Sequence, residues 1–178
     1  MGTGAAGAAG APTVRAAGGS AHASAGVHWW AMPEARERRG WGAALTLLAL
    51  VGLAIALYLA ITKLAGGVPV CVQGGGCETV ALSPYSEVLG IPVAVFGVGY
   101  SAVVLATSVA WWRDGERRWL YVAYAMGLVG IVVEAYLVYL ELFVIRAVCT
   151  WCAVYGALLI AGWVTAIAAL RRFRQPPA

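Results

Sequence analysis

Four long apolar runs, separated by short charged or glycine-rich stretches, leave this chain few folds to choose from. They cover residues 41–65, 91–112, 119–144 and 148–170. A helix that crosses the hydrocarbon of a bilayer needs about 20 such residues. Lipid offers the backbone no hydrogen-bond partners, so each span must satisfy its own peptide groups. The expected fold is an all-α integral membrane protein, a four-transmembrane-helix bundle with a short loop or helix on its outer face. Composition agrees: 62% of the 178 residues are hydrophobic and only 11% charged, where soluble domains are about half apolar and a quarter charged. The net charge of +4 is then no sign of nucleic acid, and none is expected as a partner. Trp41, Trp111, Trp112 and Trp119 fall at segment ends, where amphipathic rings favour the interface. Gly97, Gly99, Ser101, Gly127, Gly130 and Gly156 would let helices approach closely.

The position of the cations sets an expected orientation. Arg36, Arg38 and Arg39 precede the first run, and Arg113, Arg117 and Arg118 lie between the second and third. Arg171, Arg172 and Arg174 follow the fourth, while the other side has only Lys63 and Arg146. The positive-inside rule then places both termini in the cytoplasm. Residues 1–40 are rich in Ala and Gly and are expected to be a disordered cytoplasmic segment, too poor in large apolar residues to offset ordering entropy. They lack the apolar core of a secretory signal. Within them Glu34 to Arg39 forms a charged patch at the membrane surface, and His22 and His28 are read as incidental. The membrane domain is expected over 41–170, followed by a basic cytoplasmic tail over 171–178.

Four cysteines in two pairs carry the chemistry. Cys71 and Cys77 bracket a Gly-rich loop between the first two runs, and Cys149 and Cys152 open the fourth. On the expected orientation all four lie at the outer face, where disulfides persist. A Cys-x-x-Cys at a helix start suits redox work, because the helix N-terminus supplies partial positive charge and free N–H groups to a thiolate. A second pair on a loop of Gly74, Gly75 and Gly76 can reach it by thiol–disulfide exchange. Ser83, with Pro84 at the first helical position, reads as a helix cap; the alternative is a hydrogen bond to a thiolate or to a quinone.

With these motifs in hand the chain resembles the vitamin K epoxide reductase family, in its bacterial branch without a fused thioredoxin-like domain. The resemblance runs from about Trp41 to Leu170. It rests on Cys71/Cys77, Ser83, Ser86, Gly90-Ile91-Pro92, Tyr136-Leu137-x-Tyr139-Leu140 and Cys149-x-x-Cys152. It implies a bundle around a membrane quinone (ubiquinone or menaquinone) that accepts electrons from the Cys-x-x-Cys. Cys71 then resembles the cysteine that meets the partner, Cys77 exchanges with Cys149, and Cys152 lies nearest the quinone. Ser83 resembles the polar residue of the site. The implied partner is a separate thioredoxin-fold (DsbA-like) oxidase outside the membrane, and the implied setting is a bacterial inner membrane. The implied resting form pairs Cys71 with Cys77 and Cys149 with Cys152. Animal relatives hold the quinone with an Asn and a Tyr. This chain has no Asn, and Gly156 stands where that Tyr would fall. Tyr155 is adjacent but points about 100° away on a helix.

Two other function classes compete. Four-helix quinone reductases of the DsbB type carry their cysteine pairs in the reverse order. A four-cysteine metal site, or a non-catalytic membrane protein with structural disulfides, is the alternative outside catalysis. One residue stands apart: Glu134 falls near the bilayer middle, where a carboxylate is costly. It is expected to face the bundle as a neutral acid bonded to another helix, with Ser101, Thr107 and Ser108 as candidate partners. Glu141, seven residues on, is expected near the outer surface.

Overall fold

The structure, a computed structural model, describes residues 31–71 and 76–173, with side chains from Arg36 onward. His22, His28, Gly74, Gly75 and Arg174 lie outside these residues. Four helices are long and apolar enough to cross a membrane, with mean hydropathies of 2.6, 1.9, 2.2 and 2.0. In chain order α1 spans Ala31–Leu64 and α3 Val93–Asp114. Arg117–Tyr139 forms α4, which runs on into a π-helical turn at Leu140–Ile145, and Thr150–Arg172 forms α5. Between α1 and α3 lie a short helix α2 (Gly76–Ala81), a 3₁₀ turn (Pro84–Ser86) and a two-stranded hairpin. The helices form a ring, in which α1 packs on α3 and α5, and α4 on the same two.

The first helix starts at Ala31, so residues 31–40 are helical where a disordered segment was expected. Pro33 falls in the first turn, where a missing N–H costs nothing, and no second proline follows before Trp41. Glu37 of this extension bonds Arg172 of α5 at 2.8 Å.

At the end of the bundle away from the cysteines, Leu45, Trp111, Leu120, Ala123, Ala166 and Ala169 form a buried core cluster, with Phe173 packed against it. Trp111 is only 2% exposed, so it is a core residue and not the interfacial anchor expected. Adjacent helical positions point about 100° apart; Trp112 takes the outward one and is 41% exposed. Most of the small residues named above do mediate close packing: a Cβ at Gly127 would strike Trp163, and one at Gly130 would strike Tyr100. Gly99 is the exception, with open space around it.

At the cysteine end the connections are ordered by specific contacts. Strands Glu87–Val88 and Ile91–Pro92 pair in register Glu87↔Pro92 and Val88↔Ile91. Leu89 and Gly90 both take positive φ, at 54° and 79°, the combination a two-residue hairpin of this kind demands. Lys63, in the last turn of α1, holds this region down. Its Nζ donates to Ala81 O at 2.6 Å and to Ser86 Oγ at 3.1 Å, and pairs with Glu87 at 3.3 Å.

Candidate functional site

Cys71 and Cys77 are joined in a disulfide, with Cα atoms 5.8 Å apart. The segment leading to Cys71 is clamped between two helices. Val70 N–H donates to Tyr58 Oη of α1 at 3.0 Å, and Val70 O accepts from Trp151 Nε1 of α5 at 2.8 Å. The Tyr58 and Trp151 rings sit 5.2 Å apart. Cys77 N–H points at Cys71 Sγ at 3.2 Å, and Cys77 is fully buried. Gly76 is what allows this: a Cβ there would collide with the backbone O, C and N of Val148. The start of α2 thus rests directly on the chain just before Cys149.

Cys149 is the N-cap of α5, and its sulfur accepts from Cys152 N–H at 3.3 Å. The thiol at a helix start expected from the sequence is therefore in place. The Cys149 thiol is held below its ordinary range, first by the hydrogen bond from the Cys152 thiol; burial opposes this, and the N–H groups of Cys152 and Trp151 add to it. Cys149 and Cys152 are free, which differs from the doubly bonded resting form expected. Cys71 Sγ lies 4.0 Å from Thr150 Oγ1, inside the turn between Cys149 and Cys152. The two pairs are therefore neighbours, and one set of four metal ligands is not available while Cys71 and Cys77 are bonded to each other.

Glu141, expected near the outer surface, lies at the cysteine end of the bundle and is buried there. It is 7% exposed, its Oε2 accepts Cys149 N–H at 3.1 Å, and its carboxylate lies within 4.8 Å of both Cys149 and Cys152 sulfurs. The π turn explains the placement. Glu141 O accepts the N–H groups of both Arg146 and Ala147, closing the helix with Arg146 in the left-handed region at φ 57°. The chain then needs only residues 147–149 to bring Cys149 back onto the Glu141 side chain. No glycine or proline announces this turn, so the sequence offers little to find it by.

Cys77, Glu141, Cys149 and Cys152 border one cavity of about 300 Å³ within the bundle, at the cysteine end. Its walls are mainly apolar, and Cys77, Cys149, Cys152, Ser83, Glu134 and Tyr155 are among its polar groups. That volume is at the lower end of small-molecule sites, and the mix of an apolar wall with a few polar groups is typical of them. A second cavity, of about 50 Å³, is far smaller. The larger one fits a quinone ring in size and polarity.

The polar groups differ in what they have to offer. Ser83 borders the cavity and caps the 3₁₀ turn by position, with Pro84 following, but its hydroxyl donates to Val80 O at 2.8 Å and makes no cap bond. Tyr100 Oη donates to Met126 O at 3.0 Å. Tyr155 and Ser101 hydroxyls bond each other at 2.9 Å. Two hydroxyls in one bond use one proton and leave the other to donate. Tyr155 thus reaches the cavity, although one helical position from Gly156 it was expected to face away. Gly156 serves differently, since a Cβ there would overlap the Glu134 carboxylate. Glu134 faces the bundle as expected, but against α5 at Gly156. Of its expected partners, Ser101 bonds Tyr155, while Thr107 and Ser108 bond Val104 O.

In a comparison with protein-family models, most of the chain, residues 43–167, fits the model described as Vitamin K epoxide reductase family.

Proposed function

The chain belongs to the vitamin K epoxide reductase family, and on that footing we propose that it is a membrane thiol:quinone oxidoreductase. It reoxidises a separate thioredoxin-fold (DsbA-like) oxidase and passes the electrons to a membrane quinone, ubiquinone or menaquinone, in support of disulfide bond formation. The observation that carries this reading is the contiguity of a bonded pair, a free pair and one apolar cavity of about 300 Å³.

The steps are thiolate attacks on disulfides. A partner thiolate attacks Cys71 and expels the Cys77 thiolate; the partner's second thiol then releases Cys71 and leaves the partner oxidised. Cys77 attacks Cys149 of the Cys149–Cys152 disulfide and expels Cys152. Cys71 then attacks Cys77, restoring the Cys71–Cys77 bond and freeing Cys149. The state after this transfer has the outer pair bonded and the inner pair free, as found here. A quinone, when bound, supplies a two-electron, two-proton acceptor for the inner dithiol. The Tyr155–Ser101 pair has a proton to offer a quinone oxygen, and Ser83 needs only to turn its hydroxyl from Val80 O to do the same. Cys152 borders the cavity as the sulfur expected nearest the ring. The cation distribution supports an inner-membrane orientation with both termini cytoplasmic and the cysteines at the outer face.

The test separates the two pairs. Cys149→Ala and Cys152→Ala should abolish quinone reduction even with dithiothreitol as donor. Cys71→Ala and Cys77→Ala should lose only turnover driven by the protein partner, because a small thiol bypasses the outer pair. Equal loss in all four variants with dithiothreitol would sink this division of labour.

A further inference from the structure

Oxidising a dithiol to a disulfide releases two protons along with two electrons, and the inner pair does this where water is scarce. Cys149 is 2% exposed and Cys152 half-buried. The electrons have a route through the sulfurs, but the protons need a base within reach. The carboxylate of Glu141 lies against both sulfurs, an oxygen within 4.8 Å of each. It is also held still. Oε2 takes the Cys149 N–H at 3.1 Å, and the backbone carbonyl of Glu141 takes two N–H groups from the π turn. Burying a carboxylate costs several kcal/mol in effective terms, and among the described residues no lysine or arginine is shown paired with Glu141 to offset it. A group kept at that cost, fixed against two reactive sulfurs, is placed for proton transfer.

We propose that Glu141 is the proton acceptor of the inner cysteine pair. The inference rests on the thiol–quinone reading above and adds the route of the proton. As the Cys149–Cys152 bond forms, the Cys152 thiol proton passes to Glu141. The electron pair leaves through the sulfurs to the quinone, and Glu141 returns its proton on the cavity side as quinol forms. The second proton comes from Cys149. Atoms and charge balance: one dithiol and one quinone give one disulfide and one quinol, and Glu141 ends each cycle as it began. The titratable groups around it are Cys149, Cys152 and Tyr155 on α5, Glu134 on α4, Tyr100 on α3, and Lys63 with Glu87 at the cavity edge. Cys71 and Cys77 carry no proton while bonded.

Glutamine separates the chemical from the structural role, because it still accepts the Cys149 N–H but takes no proton. In full-length purified protein, Glu141→Gln should lower dithiothreitol-driven quinone reduction about 100-fold with an unchanged thermal melt. Its rate should climb more steeply with pH than that of the wild type, as solvent base takes over. Glu141→Asp should recover part of the rate. Turnover of Glu141→Gln within twofold of wild type, or a loss matched by a fall in its melt equal to that of Glu141→Leu, would overturn the proposal. A second arm keeps the two readings apart. The rate at which diamide closes the reduced Cys149–Cys152 pair is followed by thiol trapping and mass spectrometry. If the wild type reduces no quinone, the proposed function fails. A slower closure in Glu141→Gln would still support Glu141 as the acceptor, and equal closure rates would refute it.

Discussion

Gly76→Ala is the sharpest probe of how the two cysteine pairs meet. A Cβ at position 76 would sit 2.9 Å from Val148 C and 3.0 Å from Val148 N, with Val148 O closer still. All three are backbone atoms, so no side chain can swing away. Ordinary contact begins at 3.4 Å and the Val148 O contact is the tightest of the three, so α2 and the 148–149 segment must part by about 1 Å. Overpacking of this kind costs about 1–3 kcal/mol. Gly76 is the first residue of α2, so alanine's helix propensity, an interior effect of up to about 1 kcal/mol, offsets little of this. The parting carries Cys77 away from Cys149. A misplacement of about 1 Å can cost about 100-fold in rate. The assay reduces the outer pair with a pulse of a reduced thioredoxin-fold protein and follows its electrons into Cys149 and Cys152 by thiol trapping. Transfer should slow about 100-fold, while dithiothreitol-driven quinone reduction stays within twofold of wild type. Unchanged transfer would refute the contact as a determinant of the relay. An equal fall in both rates would show that Gly76 supports the whole bundle and not the meeting of the pairs.

Two further outcomes test other parts of the site. Lys63→Met removes the donor to Ala81 O and Ser86 Oγ; loss of charged hydrogen bonds worth about 1–2 kcal/mol should speed amide exchange across residues 76–92 by about 5–30-fold, with exchange in α4 unchanged. In reduced protein, iodoacetamide should label Cys149 with a midpoint below the usual cysteine range, because its depressed pKa keeps thiolate present at lower pH. Cys152→Ala removes the first cause of that depression and should move the midpoint up.

The spans and the two cysteine pairs were legible because they depend on quantities local to the sequence. Run length decides whether a helix can cross lipid, and Cys149-x-x-Cys152 at the start of a run decides that a sulfur will cap it. The rest depended on how the helices rotate against one another. Tyr155 and Gly156 are both plausible cavity residues by spacing, and only the seating of Glu134 against Gly156 turns Tyr155 toward Ser101. Trp111 and Trp112 are equivalent in sequence, yet one is core and the other exposed. Glu141 was hidden for a different reason: a π turn without glycine or proline leaves no mark in the pattern of residues. The hairpin was not read from the sequence: Gly90 suits its second turn position, but the first positive-φ residue is Leu89, 98% exposed, which is a poor turn former by propensity.

The aromatic core around Trp111 closes one end of the helix ring, and the cavity opens among the cysteines at the other. Sulfurs, acid and cavity therefore share one end of the bundle, and on the proposed orientation one side of the bilayer. Protons released by the thiols and protons taken up by the acceptor need not cross the hydrocarbon, and neither do the electrons. On the proposed reaction each turnover is electrically silent. Its rate should be indifferent to the membrane potential, and the free energy of disulfide formation would reach the respiratory chain only as reduced quinone.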